Sequence, residues 1–373
     1  MKISILIPCY NEELTVEKCL TSCIDQTRSA DEIIVVDDSS TDKTPEILKK
    51  FSAQGGPASG WEGQIKIVRT PQNTGGKSYA QEYGLRFVTG DIYIATDGDT
   101  ILSKNFVKNI EEEMRDESVS AVAGYVKSLK HNWVTASRAL DYAISQNIDK
   151  VAQEHIGFIF VIPGAAGAFR TKIFREKIAF THDTITEDLD FTYRLNKMKH
   201  KIKYSRKAIC HTQDPPTLRA YINQMRRWFG GGWQNLKKHL TVPNTPGMAL
   251  ELSLIYVEGL AYSFILLLLP IINLRMALYI FTIYLIILTC LAMFGAYKEK
   301  RPDLLLALPG YVCLRFVNAY IFIEQFIKVI ILRKKNLNWF KPERTEIKDN
   351  INGLKIPMPP DPRIAERRAV LKT

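Results

Sequence analysis

Two aspartates separated by one glycine follow a short β-branched segment of the chain. Asp97 and Asp99 offer carboxylate oxygens, which bind Mg²⁺ or Mn²⁺ and leave coordination positions for phosphate oxygens. Asp and Gly are also common turn residues, so this pair alone does not establish a metal site. A second acidic turn, Asp37-Asp38, follows another such segment, and two acidic turns at one sheet edge favour a nucleotide site. For Asp42, in the same turn, we expect a helix-capping role.

A glycine-rich turn lies between the two acidic turns. Gly75, Gly76, Lys77 and Ser78 resemble the end of a P-loop, but the first glycine of that motif falls at Pro71, so the sequence does not fit it. What remains is a lysine near the start of a predicted helix. Such a position is suited to a phosphate contact.

A third acidic motif, Thr186-Glu187-Asp188, begins a predicted amphipathic helix that extends to about Met198. Carboxylates in the first turn of a helix commonly serve only as caps or interact with the helix dipole. A role in chemistry therefore stays open on this motif alone.

A basic amphipathic helix is predicted from about residue 217, and it carries Gln224, Arg227 and Trp228. A guanidinium suits pyrophosphate, and an indole face suits a sugar ring. The alternative is a helix that lies at the membrane interface, with the same side chains in contact with lipid. We expect the three glycines at 230–232 to interrupt this helix.

The elements that position these motifs alternate regularly in the first part of the chain. Strands are predicted at 3–7, 32–36, 65–69, 91–95 and 119–123, and helices at 13–26, 43–52, 77–88 and 104–115. This alternation predicts an α/β, Rossmann-like fold with a mostly parallel sheet covered on both faces. Ligands of such sheets bind beyond the carboxyl ends of the strands, where the acidic and glycine-rich turns lie.

By composition, the 373 residues divide into an N-terminal part that mixes charged and apolar residues (the front) and an apolar part that follows it (the rear). Residues 248–332 are dominated by Leu, Ile, Phe, Tyr and Ala, and membrane segments are predicted at about 250–272, 276–297 and 304–332. The last segment contains charged residues, and it is either a full span or a re-entrant, interfacial or split element. A strand is predicted directly after Met1, so we expect no signal peptide.

The formal net charge of +11 is concentrated at positions that flank the apolar segments. This is the positive-inside pattern of cytoplasmic loops, and it requires no nucleic acid as partner. We therefore expect the front and the basic tail in the cytoplasm and the apolar helices in the inner or plasma membrane. Three full spans would instead place Arg333-Lys334-Lys335 on the far side.

The chain resembles the processive family 2 glycosyltransferases, which include cellulose, chitin, hyaluronan and poly-N-acetylglucosamine synthases. The resemblance rests on motifs in the family's order, followed by apolar helices: Asp37-Asp38, Asp97-Gly98-Asp99, Thr186-Glu187-Asp188 and Gln224-x-x-Arg227-Trp228. It implies a GT-A catalytic domain and an inverting, metal-dependent transfer of a sugar from a UDP-sugar to a growing glycan. An N-acetylglucosamine polymer is the first candidate product.

The resemblance also implies a role for each matching residue. Asp188 matches the general base, and Asp99 matches the ligand of Mg²⁺ or Mn²⁺. The implied nucleotide-sugar contacts are Pro8, Tyr10, Asp38, Lys77, Asp97 and Arg227. The implied acceptor contacts are Gln224, Trp228 and Gly164, the last within an acceptor-side segment at 163–170.

Departures from the family pattern keep alternatives open. Relatives often show Thr-Glu-x-Pro where this chain has Thr212-Gln213-Asp214-Pro215, and many carry membrane helices before the catalytic domain. Addition of a single sugar to a lipid is the closest alternative, and a nucleotide-binding scaffold is a more distant one. An accessory membrane subunit or a homo-oligomer could complete the machinery.

The sequence predicts four regions. They are a cytoplasmic catalytic domain at 1–216, an amphipathic interfacial region at 217–247, two or three membrane helices at 248–332 and a basic tail at 333–373.

Overall fold

The computed structural model describes residues 1–53, 63–129, 131–175, 180–239, 246–334, 344–346, 350–351 and 354–355. The strands of the main sheet are β1 (Ile3–Cys9), β2 (Glu32–Asp37), β3 (Gln64–Arg69), β4 (Ile92–Ala95), β5 (Ile101–Leu102), β6 (Val119–Ser128), β7 (Gly167–Arg170) and β8 (Lys201–Thr212). The helices before the apolar rear are α1 (Val16–Ile24), α2 (Thr44–Ala53), α3 (Lys77–Leu85), α4 (Phe106–Glu113), α5 (Trp133–Asn147), α6 (Asp149–His155), α7 (Lys172–Arg175), α8 (Glu187–Lys197) and α9 (Leu218–His239).

The sheet has eight strands in the order β3-β2-β1-β4-β7-β6-β8-β5. Strands β1 to β4 pair in parallel, as does β6 with β8, whereas β7 runs antiparallel to both of its neighbours and β5 runs antiparallel to β8. The register pairs Ala95 with Gly167 and Ser128 with Thr212. The carboxyl ends of β1, β2, β4, β6 and β8 and the start of β7 therefore lie along one edge of the sheet.

Helices cover both faces of the sheet because successive strand residues point to opposite sides. In β1, Ile5 and Ile7 pack in the cluster that includes α1 and α4, whereas Leu6 packs on the other face with α3 and α8. All three side chains are fully buried. The predicted α/β fold of the catalytic part is confirmed, with a mixed sheet in its second half.

The glycines at 230–232 do not interrupt α9, so this prediction was wrong. The helix continues through them because each glycine lies against another element at a distance that leaves little room for a side chain. A Cβ on Gly231 would lie 2.3 Å from Oγ1 of Thr186, and one on Gly232 would lie 3.1 Å from the hydroxyl of Tyr256. Close packing outweighs the low helix propensity of glycine here.

Two long helices form an apolar hairpin in the rear of the chain. The first combines α10 (Pro246–Leu252), a π-helical turn (Ser253–Glu258) and α11 (Gly259–Ile272), and the second is α12 (Leu274–Glu299). The amide oxygen of Asn273 accepts a hydrogen bond from the N–H of Met276 (3.1 Å) and caps α12. Ile272, next to this tip, is 78% exposed. Each of the two helices is long and apolar enough to cross a membrane.

The third apolar helix packs along the catalytic part. It comprises a 3₁₀ turn (Pro302–Ala307), α13 (Leu308–Phe326) and a π-helical turn (Ile327–Ile331), and it too is long and apolar enough to span a membrane. Near the start of α13, a Cβ on Gly310 would lie 2.6 Å from Oγ of Ser137 on α5. Farther along, the indole N–H of Trp233 on α9 donates to the carbonyl of Phe322 (3.3 Å). The helix continues through Pro309-Gly310, which lie in its first turn.

Candidate active site

One cavity of about 620 Å³ opens where the strand ends meet α8 and α9. All eleven residues implied by the sequence line it: Pro8, Tyr10, Asp38, Lys77, Asp97, Asp99, Gly164, Asp188, Gln224, Arg227 and Trp228. Motifs that are far apart in the sequence thus face one cavity. A cavity of this volume is in the range of small-molecule sites.

The loop after β1 lies directly against the Asp97-Gly98-Asp99 turn after β4. A Cβ on Gly98 would lie 3.0 Å from Sγ of Cys9 and 3.1 Å from Cγ of Glu12. Glycine is therefore the residue that permits this close approach. The contact holds the two carboxylates next to the loop that carries Pro8 and Tyr10.

Asp38 organises the loop after β3. One carboxylate oxygen accepts a hydrogen bond from the hydroxyl of Thr70 (2.9 Å) and the other from the hydroxyl of Thr74 (2.8 Å). The backbone N–H of Thr74 also donates to this carboxylate (3.0 Å). Asp38 therefore fixes the turn before Lys77, in addition to the nucleotide contact expected for it.

Lys77 begins α3 and forms an ion pair with Asp97. A Cβ on Gly164 would lie 2.5 Å from Nζ of Lys77, so a glycine at this position makes room for the ammonium group. Burial works against the charged form, but Asp97 and Glu187 outweigh it and raise the pKa of Lys77. A fixed positive charge at this place suits a phosphate.

Asp188 lies in the first turn of α8, and its neighbours are ordered by α9. Oδ1 of Asp188 accepts a hydrogen bond from the N–H of Leu189 (2.9 Å). The amide of Asn235 on α9 donates to Oγ1 of Thr186 (2.9 Å). Burial and the adjacent Asp188 raise the pKa of Glu187, against the opposing charges of Lys77 and Arg227. The positive charges of Lys77 and Arg227 therefore both favour the charged form of the carboxylate of Glu187 in the first turn of α8.

An arginine from beyond the third apolar helix enters the cavity, and sequence reasoning missed it. Nη1 of Arg344 lies 2.6 Å from Oδ2 of Asp99, and its guanidinium also approaches the carboxylate of Glu12 (3.3 Å). The N–H of Thr345 donates to the side chain of Gln213 (3.1 Å), which holds the segment after β8 against it. Glu12 follows the first strand closely in the chain, but no sequence pattern links it to Arg344.

The carboxylate of Asp99 is nearly inaccessible to solvent. Burial raises its pKa to about 6, and the neighbouring Arg344 opposes this shift. A buried carboxylate that holds a cationic partner is also a suitable ligand for a metal cation.

The carboxylates that line the cavity suit a divalent metal ion that also binds a substrate. Among the described residues, no group of three or more His, Cys, Asp or Glu side chains is placed to enclose an ion. Mg²⁺ commonly binds through one or two carboxylates together with substrate phosphates and water. Asp97 and Asp99, which line the cavity beside Lys77, match that arrangement.

Family models match most of the described chain. The model "Glycosyl transferase family 2" matches residues 4–176, and "Glycosyl transferase family group 2" matches residues 93–296. The second match covers more than half of the chain, and the two together include the strand-end motifs, α8 and α9.

Two relatives are similar in sequence. A poly-β-1,6-N-acetyl-D-glucosamine synthase of Staphylococcus epidermidis is 26% identical over 372 residues, which cover 92% of this chain and 88% of the relative. An N-acetylglucosaminyltransferase of Azorhizobium caulinodans is 27% identical over 264 residues, which cover 64% of each protein.

Two solved structures are similar in fold. A mannosyltransferase of Pyrobaculum calidifontis in complex with GDP-Man and Mn²⁺ has a TM-score of 0.61 at 19% identity, covering 89% of this chain and 88% of that structure. Staphylococcus aureus TarS 1–349 has a TM-score of 0.51 at 17% identity, covering 88% of this chain and 91% of that structure.

Proposed function

The chain belongs to glycosyl transferase family 2, and we propose that it transfers N-acetylglucosamine from UDP-N-acetylglucosamine to a growing N-acetylglucosamine polymer. The observation that carries this proposal is that the four family motifs line one cavity. The relatives named above support a polysaccharide-type sugar transfer, and the poly-β-1,6-linked product of one of them guides the choice of sugar.

The reaction proposed is a single displacement with inversion at the anomeric carbon. Asp188, at the start of α8, removes the proton from the acceptor hydroxyl as the new bond forms. Lys77 and Arg227 balance the charge that develops on the departing diphosphate. Pro8, Tyr10 and Asp38 hold the uracil end of the donor.

Asp99, with Asp97 beside it, would hold the Mg²⁺ or Mn²⁺ ion. When bound, the cation neutralises diphosphate oxygens and so makes the nucleotide a better leaving group. The guanidinium of Arg344 compensates the charge of Asp99. We propose that donor binding moves this guanidinium from the carboxylate towards the phosphates.

The acceptor is proposed to bind at the α9 side of the cavity. Trp228 presents an indole ring there, and Gln224 offers its amide. A sugar that stacks on an aromatic ring is held without a fixed hydrogen-bond pattern, which suits a repeating polymer. Gly164 lies against Lys77 and therefore contributes by making room at the boundary with the donor side.

The hairpin of α11 and α12 is proposed to cross the inner or plasma membrane twice, with catalysis on the cytoplasmic side. The third apolar helix would then lie along the membrane interface. This arrangement is supported by Arg344, since a chain with three full crossings could not return residue 344 to the cavity on the catalytic side. The region boundaries at 216, 247 and 332 are part of the same proposal.

The proposal is tested with purified membranes and a panel of labelled UDP- and GDP-sugars, followed by sizing of the product. We expect incorporation from UDP-N-acetylglucosamine into a product of many residues, and loss of that product with Asp188→Asn. A labelled lipid that carries one sugar would instead support the single-transfer alternative. Incorporation only from another donor would overturn the choice of sugar.

A further inference from the structure

Arg138 on α5 is a buried arginine just behind the α9 side of the cavity. Its side chain is 4% exposed. Nη1 forms an ion pair with Asp141, one turn further along α5, and Nε lies 3.4 Å from Oδ1 of Asp214. Asp214 follows β8 and lines the cavity, whereas Arg138 does not. The arginine thus supports the wall of the cavity from the side away from the ligand.

The guanidinium of Arg138 also contacts three aromatic rings. The distance from its central carbon to the ring centroid is 4.7 Å for Tyr142, 5.1 Å for Trp228 and 5.8 Å for Tyr221. All three distances are within the range of cation–π attraction. Tyr142 and Trp228 line the cavity, and they belong to different helices, α5 and α9. One side chain therefore joins the two aromatic residues of this wall.

Polar atoms of the same wall have unused hydrogen-bonding capacity. Within the described part of the chain, Nη2 of Arg138, Oδ2 of Asp214 and Oε1 of Gln224 are buried and have no hydrogen-bond partner. A buried polar atom without a partner is costly, so a ligand that supplies hydroxyl or amide groups is favoured there. Asp214 and Gln224 line the cavity and can reach such a ligand directly.

We infer that Arg138 is a positioning residue for the acceptor sugar. Its guanidinium is fixed by Asp214 and Asp141, and it holds the rings of Trp228 and Tyr142 in the orientation against which the sugar stacks. This inference rests on the proposed function, since it takes Trp228 to be the acceptor platform. It adds a residue from α5, outside the four motifs, and it gives a role to Asp214, which directly follows Gln213, the position at which the sequence departs from its relatives.

The planar shape of the guanidinium distinguishes this role from simple charge compensation. Arginine can donate to a carboxylate in its plane while its faces lie on aromatic rings. A lysine would still compensate the charges of Asp141 and Asp214, but its ammonium group is a point charge and lacks those faces. Arg138→Lys therefore retains the positive charge and removes the ring alignment.

The experiment uses the full chain in detergent with UDP-N-acetylglucosamine and a β-1,6-linked N-acetylglucosamine tetramer as acceptor. We expect Arg138→Lys to raise the acceptor KM by about tenfold and to leave the donor KM within about twofold of wild type. Binding of the tetramer is measured separately by the fluorescence change that Trp228→Phe abolishes. The midpoint of this change should rise in Arg138→Lys by the same factor as KM.

Arg194→Lys is the matched control. Arg194 also combines an ion pair, with Asp190, and a ring contact, with Phe191 (5.5 Å), but it lies outside the cavity. It should leave both KM values unchanged. An unchanged acceptor KM in Arg138→Lys, or equal rises for donor and acceptor, would overturn the positioning role. A wild-type protein that transfers no N-acetylglucosamine would instead overturn the proposed function, so the two failures are distinguishable.

Discussion

Nη1 of Arg344 lies 2.6 Å from Oδ2 of Asp99, so a side chain from beyond the third apolar helix lies where Asp99 is proposed to hold a metal ion. Glu12 contributes a second carboxylate to the same guanidinium. A guanidinium and a divalent metal both neutralise Asp99, and they cannot both take the same side of this carboxylate. If Asp99 holds the metal as proposed, the segment at 344–346 is coupled to the donor site.

Removal of Arg344 is expected to strengthen metal binding to the donor-free protein. Arg344→Ala eliminates the competing cation, and the buried Asp99 then gains more from Mn²⁺, so we expect an affinity about tenfold higher. The affinity is read from the electron paramagnetic resonance signal of free Mn²⁺. Arg301→Ala, which removes a guanidinium paired with the half-exposed Asp303, is the control. Equal or weaker Mn²⁺ binding by Arg344→Ala would refute the competition.

Gly231 on α9 is expected to control the position of the first turn of α8. In Gly231→Ala the new methyl group would lie 2.3 Å from Oγ1 of Thr186, so α8 and α9 must separate. We expect a loss of about 1–3 kcal/mol in stability, measured by thermal unfolding in detergent, and a lower transfer rate. In Gly230→Ala, on the same helix, the nearest atom to the new methyl group is the flexible end of Gln325 at 3.0 Å, so the effect should be milder. Similar effects of both substitutions would contradict this account.

Asp190 is expected to stabilise the protein in a pH-dependent manner. It is fully buried, and burial acts to raise its pKa, but His239, Lys238, Thr181 and Arg194 outweigh this effect and hold the pKa well below its usual value. The stabilisation is therefore present above the unfolded-state pKa of about 3.9, and it is lost as the pH falls towards the lower folded-state pKa.

Asp190→Asn should thus destabilise the protein by about 3–5 kcal/mol at neutral pH. Its unfolding temperature should fall less than that of wild type between pH 5 and about pH 3, since the carboxylate that titrates is gone. Parallel pH profiles of the two proteins would show that Asp190 does not carry this dependence.

The two crossings proposed for the hairpin are testable by cysteine labelling in sealed vesicles. Leu274→Cys lies beside the exposed tip, and Glu346→Cys lies next to the segment that reaches the cavity. In a background of Cys290→Ser and Cys313→Ser, we expect labelling of position 274 from the outside and of position 346 from the cytoplasmic side. Labelling of position 346 from the outside alone would support three full spans.

The first half of the fold follows from local sequence patterns. The buried strands β1, β2 and β4 have four to seven residues, are rich in Ile and Val, and are each followed by a polar turn. The start of β1 at Ile3 was predicted correctly. The second half of the fold is harder to predict from the sequence. Strand β7 has only four residues, Gly167–Arg170, and its antiparallel pairing with β4 depends on contacts between residues that are distant in the chain.

The sequence motifs identified the residues that line the candidate site. They did not identify the residues that support this site from outside the motifs. Arg138 and Arg344 look like ordinary charged residues in the sequence, since one lies in an amphipathic helix and the other in a basic tail. Their roles depend on long-range contacts, with Asp214 for Arg138 and with Asp99 for Arg344. The glycines of α9 were misread because local propensity ignores the close packing of Gly231 on Thr186.

The central claim is that Asp188 acts as the base in a cavity that also binds the nucleotide sugar. The measurement that tests it most directly compares wild type and Asp188→Asn for calorimetric affinity towards UDP-N-acetylglucosamine with Mg²⁺ and for the rate of sugar transfer. We predict unchanged donor affinity within about twofold and a transfer rate lower by about 10²–10⁴-fold. Transfer by Asp188→Asn at the wild-type rate would contradict the account.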